Sequence, residues 1–253
     1  MRTRFTVALR PLAFALIVGL FIGSCAVTDN SDDSNGSNDG EFNRTLNTSA
    51  IGSYGDYTYE FWNQDETGDA TMGLREDGSF EVSWNGIYNM LARNGVRPGQ
   101  NVTSVTYNVD NYAVTGGISY LCVYGWFYNG DYDDLVEYYI VDNWKNYNPS
   151  SSAVYFGTVT VDGVDYNLYT SIRTQQPSIN GTQTFTQYWS IRQNTKLRTS
   201  GTINVPAHFQ AWEDAGLSIG STMHEVSFCI EGFGMGNSGA GHANVTSLVF
   251  ATE

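Results

Sequence analysis

Two glutamates stand in surroundings that suit glutamate poorly. Glu137 lies within Leu135-Val136-Glu137-Tyr138-Tyr139-Ile140-Val141, and Glu231 within Phe228-Cys229-Ile230-Glu231-Gly232-Phe233-Gly234. Both runs are aromatic, β-branched and otherwise apolar, the composition of a pleated strand. Alternation puts Glu137 and Tyr139 on one face, with Val136, Tyr138 and Ile140 on the other. Taken singly, each glutamate reads as an ordinary solvent-facing side chain. Taken as a pair, they suggest chemistry. A carboxyl partly removed from water has its pKa raised, because desolvation penalises the charged form. Two carboxyls with separated pKa values are what glycosidic bond cleavage requires.

The rest of the composition narrows the partners. His208, His224 and His242 have no ligand-like spacing, so neither a metal nor another cofactor is expected. The formal net charge is −14, which argues against a nucleic-acid partner, since a phosphate backbone calls for a Lys/Arg surface. An acidic surface rich in Tyr and Trp suits a polymer of neutral sugars, and the acidity also favours solubility.

The elements that must hold the two glutamates are β-strands. Aromatic residues make up 14% of the chain and charged ones only 15%, with 27 Gly, a balance that suits an all-β protein with many tight turns. Alternating runs recur at Ser79–Trp84, Ser104–Val109, Tyr120–Trp126, Val136–Val141, Tyr155–Val161, Tyr166–Ile172, Thr184–Arg192 and Met223–Ile230. Asn129-Gly130-Asp131, Asp162-Gly163 and Asn180-Gly181 separate some of them as turn signals. The pattern predicts a sandwich, jelly roll or barrel. Pro206–Gly216 alone has helical spacing, with Phe209, Trp212 and Ala215 three apart.

The chain divides into three parts. Arg2, Arg4 and Arg10 precede an apolar run, Pro11–Ile22, and then Gly23-Ser24-Cys25, so residues 1–25 read as a secretory signal. The run is too short for an ordinary membrane span. Ile22-Gly23-Ser24-Cys25 resembles a bacterial lipobox, which implies a lipidated Cys25 and a protein either secreted or lipid-anchored at the cell surface. Residues 26–50 are Ser, Asn, Asp, Gly and Thr with few large apolar side chains, and read as a flexible polar linker. Residues 51–253 form the catalytic domain. Cys122 and Cys229 are compatible with a disulfide in an exported protein and equally with two buried thiols.

Longer blocks point to a family. Val136-Glu137-Tyr138-Tyr139-Ile140-Val141-Asp142-Asn143-Trp144, preceded by Tyr124-Gly125-Trp126, resembles the nucleophile strand of glycoside hydrolase family 11. Arg173, Pro177-Ser178-Ile179 and the run from Gly181 to Gln193 are similar to that family's thumb hairpin and following strand. His208-Phe209 with Ala211-Trp212 is similar to its lone helix, and Glu231-Gly232 falls where the family carries its acid/base. The resemblance implies a β-jelly roll of two strongly curved antiparallel sheets with one α-helix, acting as an endo-β-1,4-xylanase on xylan and xylo-oligosaccharides as a monomer. Glu137 would be the nucleophile and Glu231 the proton donor of a retaining mechanism, which needs the carboxyls about 5–5.5 Å apart.

The same resemblance assigns substrate contacts to Trp62, Tyr124, Tyr139, Arg173, Pro177 and Gln187. It makes Asn89 a neighbour that tunes the acid/base. A neutral Asn89 cannot share a proton as a second carboxyl would, and implies an optimum near pH ~6–7. Trp126 and Trp189 read as core. Phe233, in place of the family's usual Tyr, removes one cleft hydroxyl. Two rival readings use the same architecture: a non-catalytic carbohydrate-binding jelly roll, and an endoglucanase.

Overall fold

A computed structural model of the protein describes residues 42–253. The signal assigned to 1–25, Cys25 and residues 26–41 of the linker lie outside the described residues. In chain order the strands begin with β1 (Arg44–Leu46), β2 (Ala50–Tyr54), β3 (Tyr57–Asn63) and β4 (Asp69–Leu74). Next come β5 (Phe80–Ile87), β6 (Asn89–Val96), β7 (Val102–Gly116), β8 (Ile118–Asn129) and β9 (Asp133–Lys145). After β10 (Val154–Val161), β11 (Val164–Ser178), β12 (Gly181–Arg192) and β13 (Ser200–Asn204) comes the helix α1 (Val205–Asp214). β14 (Thr222–Met223), β15 (Val226–Phe233) and β16 (Gly239–Thr252) complete the domain.

These strands form two sheets. The smaller has the order β1-β4-β5-β16-β7-β13, and the larger β10-β11-β12-β9-β8-β15-β6-β3-β2, with β14 beside β8. This is the expected all-β jelly roll with one helix, with two corrections. The pairing of β9 with β12 is parallel, because the chain leaves β9, turns through β10 and β11, and returns in the same direction. The linker boundary at residue 50 also moves. Arg44–Leu46 pairs with β4 and Leu46 is buried in the core, so the last part of the polar stretch gains enough burial to order as an edge strand.

Alternation sorts the larger sheet's side chains into two layers. Val123, Phe127, Val136, Tyr138, Ile140, Phe228 and Ile230 join Phe80, Val82, Val105, Tyr107 and Val245 in the main core. Fully burying such a side chain contributes about 1.5–3 kcal/mol. The opposite face carries a second cluster that includes Leu91, Tyr120, Cys122, Tyr124, Trp126, Tyr139, Phe185, Trp189 and Cys229. The central strands β8, β9 and β15 are therefore buried on both faces. Cys122 and Cys229 are cross-strand partners and buried free thiols.

The helix braces the strand that carries Glu137. Asn204 caps it by accepting from the Ala207 N–H at 3.2 Å, with Pro206 in the first turn. Phe209 and Trp212 then pack edge-on against Tyr138, with ring centroids 5.2 and 6.0 Å away. Gly216, at φ +85°, follows the helix end.

Candidate active site

Register across β11, β12, β9 and β8 aligns two rows of side chains on the face of the second cluster. Ser171, Gln187, Glu137 and Trp126 are successive partners in one row. Tyr169, Trp189, Tyr139 and Tyr124 are partners in the next. The Tyr124-Gly125-Trp126 motif has a steric cause. A Cβ on Gly125 would run into the Glu225 carbonyl and come within 2.6 Å of the Tyr138 hydroxyl, which itself donates to that carbonyl at 2.8 Å.

Glu137 is only 7% exposed and is bonded on both oxygens. Tyr124 donates to Oε1 at 2.7 Å and Tyr139 to the same oxygen at 3.1 Å. Gln187 donates through Nε2 to Oε2 at 2.6 Å. All three donors are neutral. Burial raises the Glu137 pKa, and the three hydrogen bonds and the Arg173 charge offset part of that rise, leaving it above the ordinary carboxylate range.

Glu231 sits in β15 between Leu91 of β6 and Tyr120 of β8. It is 9% exposed, and its Oε2 has no hydrogen-bond partner. Burial first, then the Glu137 charge, push its pKa up to about 8. The two groups are electrostatically coupled. At neutral pH the arrangement keeps a proton on Glu231, while Glu137 is the group whose charge three hydrogen-bond donors stabilise. The backbone at Glu231 is fixed by Ser119, whose hydroxyl donates to its carbonyl at 2.5 Å.

The other expected site residues are less tightly joined. Trp62 is half-buried and packs against the second cluster, on the same sheet face as Leu91, its partner in β6. Arg173 is exposed at the base of the β11–β12 hairpin, and its charge lowers the pKa of both glutamates. A bulge between Arg173 and Gln176, with Gln175 at φ +51°, redirects the hairpin. Pro177 is exposed opposite Thr182, while Ile179 at the tip packs against the second cluster. Asn89 pairs with Phe233, two residues from Glu231, and its buried Oδ1 has no partner. Asn89 thus offers no second carboxyl beside Glu231.

Sequence reasoning missed the part that four residues play here. Trp126 and Trp189 are buried, as core residues should be, but each also supplies a hydrogen bond. The Trp126 indole N–H donates to the Tyr124 hydroxyl at 2.8 Å. The Trp189 ring stacks on Tyr139, with centroids 4.1 Å apart and planes 12° apart, and its N–H donates to Ser171 Oγ at 3.0 Å. Arg93 places its guanidinium 4.8 Å from the Tyr124 ring centroid. Parity put Trp189 on the face of Gln187, which was the one available signal; Arg93 and Ser171 gave none.

Most of the chain is similar to known proteins. The family model described as "Glycosyl hydrolases family 11" matches residues 54–246. Endo-1,4-beta-xylanase A of Bacillus pumilus is 41% identical over 207 residues, covering 80% of this chain and 84% of that protein. A Ruminococcus flavefaciens protein named xylanase/beta-glucanase is 40% identical over 215 residues, covering 79% of this chain and 25% of that protein. The structure of the family 11 xylanase from Neocallimastix patriciarum superposes with a TM-score of 0.72 at 34% identity, covering 83% of this chain and 99% of that one.

Proposed function

The chain belongs to glycosyl hydrolase family 11, and from that premise we propose that it is an endo-1,4-β-xylanase that cleaves internal bonds of xylan with retention of configuration. One observation carries the reading. Two buried glutamates share one face of the sheet, one bonded by three neutral donors and the other with an unpartnered oxygen and its pKa near 8.

In the first step the Glu137 carboxylate attacks the anomeric carbon while Glu231 passes its proton to the departing oxygen. The Tyr124, Tyr139 and Gln187 donors stabilise the anion before attack. Being neutral, they oppose the loss of charge on ester formation less than a paired cation would. That loss removes the Glu137 charge that helps raise the Glu231 pKa. Glu231, its pKa lowered, stays a carboxylate until it takes a proton from the incoming water, whose oxygen bonds to the anomeric carbon as the ester bond to Glu137 breaks. Trp62 and the hairpin around Arg173 and Pro177 line the sugar path on this reading.

Anomeric product analysis by NMR on xylo-oligosaccharides tests the proposal. It expects β-configured products from internal cuts. Initial α-products, or no release from xylan with release from carboxymethylcellulose, would overturn it. Export through residues 1–25, with lipidation of Cys25, belongs to the same proposal. Cys25→Ala should release the protein from the membrane fraction, and unchanged fractionation would overturn the lipid anchor.

A further inference from the structure

Glu137 is reached by a one-way chain of hydrogen bonds that begins on an indole. Trp189 Nε1 donates to Ser171 Oγ at 3.0 Å, and Ser171 Oγ donates to Gln187 Oε1 at 2.9 Å. Gln187 Nε2 then donates to Glu137 Oε2 at 2.6 Å. The order has a chemical cause. An indole N–H can only donate, whereas a hydroxyl can do either and an amide has one end of each kind. With a Ser171 lone pair taken by Trp189, the hydroxyl proton is directed onward to the amide oxygen. With its oxygen accepting from Ser171, the amide presents its NH₂ to the carboxylate. Without this lock, a rotation of the amide by half a turn would aim its carbonyl oxygen at a negative charge.

We propose that Ser171 is a positioning residue for the reaction, holding the Gln187 amide in the one orientation that stabilises charged Glu137. This inference rests on the assignment of Glu137 as nucleophile. The register supports it, because Ser171, Gln187 and Glu137 are direct partners across three adjacent strands, and Trp189 is clamped by its stacking on Tyr139. Ser171 is thus built into the sheet directly opposite the amide it addresses.

The test uses Ser171→Ala, Ser171→Thr and Trp189→Phe in the intact protein. Losing one such hydrogen bond should lower kcat about five- to tenfold with KM little changed. It should also raise the Glu137 pKa, because a donor to the charged form is weakened. That rise is read as a shift of the acid limb of kcat/KM to higher pH, and independently by ¹³C NMR of labelled glutamate carboxyls. Trp189→Phe keeps a ring over Tyr139 and removes the N–H, and should shift the titration in the same direction. Ser171→Thr retains the hydroxyl and should restore both readouts. A Ser171→Ala variant with the parent's Glu137 titration and acid limb overturns the relay, whatever its Tm. Failure of the underlying assignment looks different: Glu137→Gln would then keep its activity.

Discussion

Four residues separate the two buried carboxylates of β9, Glu137 and Asp142, and they have different kinds of partner. Glu137 is held by two tyrosines and a glutamine. Asp142, on the other face, also accepts from two tyrosines, Tyr107 and Tyr166, each at 2.6 Å, but adds Arg198 at 2.7 Å and has Arg192 at 3.6 Å. The contrast recurs around β15. Glu231 and Glu225 each have one oxygen without a hydrogen bond, but Glu231 makes no ion pair among the described residues, whereas Glu225 lies against Arg93 at 3.1 Å and Arg97 at 2.9 Å. Burial pushes Glu225 up, but the two arginines outweigh it and leave its pKa below the ordinary range. A carboxylate locked to cations keeps its charge and holds strands together. One surrounded by neutral donors, or by none, can change its charge during a reaction.

The sharpest way to break this contrast is to neutralise one member of each kind. Glu137→Gln should lower xylan hydrolysis by roughly a thousandfold or more while the protein stays folded. Asp142→Asn should do the reverse. Leaving Arg198 and Arg192 without their buried anion should cost about 3–5 kcal/mol of stability, read from urea unfolding, and the remaining folded fraction should keep its kcat. Loss of activity with full stability in the Asp142 variant would erase the distinction.

Acid separates the two groups as well. His208 is fully buried beside the Asp142 network, bonded to Ser190 Oγ at 2.8 Å and with Nε2 unpartnered. Burial is the main cause of its pKa falling to about 4. The unfolded chain binds that proton below the ordinary histidine pKa of about 6.5, so stability is lost as pH falls from there toward 4. Glu137 and Glu231, with raised pKa values, gain stability over the same range, so the His208 loss of about 3 kcal/mol is read from urea midpoints at pH 7 and 4 in a Glu137→Gln/Glu231→Gln background. Glu225, with its lowered pKa, adds to the loss below the ordinary carboxylate range. A midpoint unchanged between the two pH values would contradict this account.

A smaller shift probes the catalytic face alone. In the Glu137→Gln variant, Glu231 no longer faces a charge, so its titration should move down from about 8 by about one pH unit, visible in ¹³C spectra. The native bell should have its basic limb at Glu231 and its acid limb at Glu137, which is consistent with an optimum near pH ~6–7 beside a neutral Asn89.

How much of this was legible beforehand depended on distance along the chain. Alternation revealed the strands and three-residue spacing the helix, because each is a local pattern. The same local pattern made Glu137 read as solvent-facing. Its burial comes from the central position of β9, a consequence of pairings with Trp126 and Gln187 that no short window contains. Only family blocks supplied that information. Ser171 looks like any serine in a Thr-rich strand, and Arg93 like any surface arginine, until register brings them to Gln187 and Tyr124. Leu46 was hidden for the opposite reason: an edge strand needs little apolar sequence when one side chain reaches the core.

The smallest expected effect lies at the boundary between the two kinds of residue. Trp126 is buried like a core side chain, packs edge-on against Phe185 with centroids 4.9 Å apart, and yet donates to the hydroxyl that holds Glu137. Trp126→Phe keeps most of the apolar volume and removes one donor. The Tyr124 hydroxyl loses one incoming hydrogen bond but still has Glu137 to receive its proton, so nothing charged is left stranded. The change should therefore cost about 1 kcal/mol, read as a modest drop in kcat with a small upward movement of the acid limb. The same variant should lower Tm slightly, because Phe is smaller than Trp and leaves space beside Phe185. A drop in Tm with no movement of the acid limb would assign Trp126 to the core alone. It would also narrow the catalytic face to the donors that touch Glu137 and the residues that orient them.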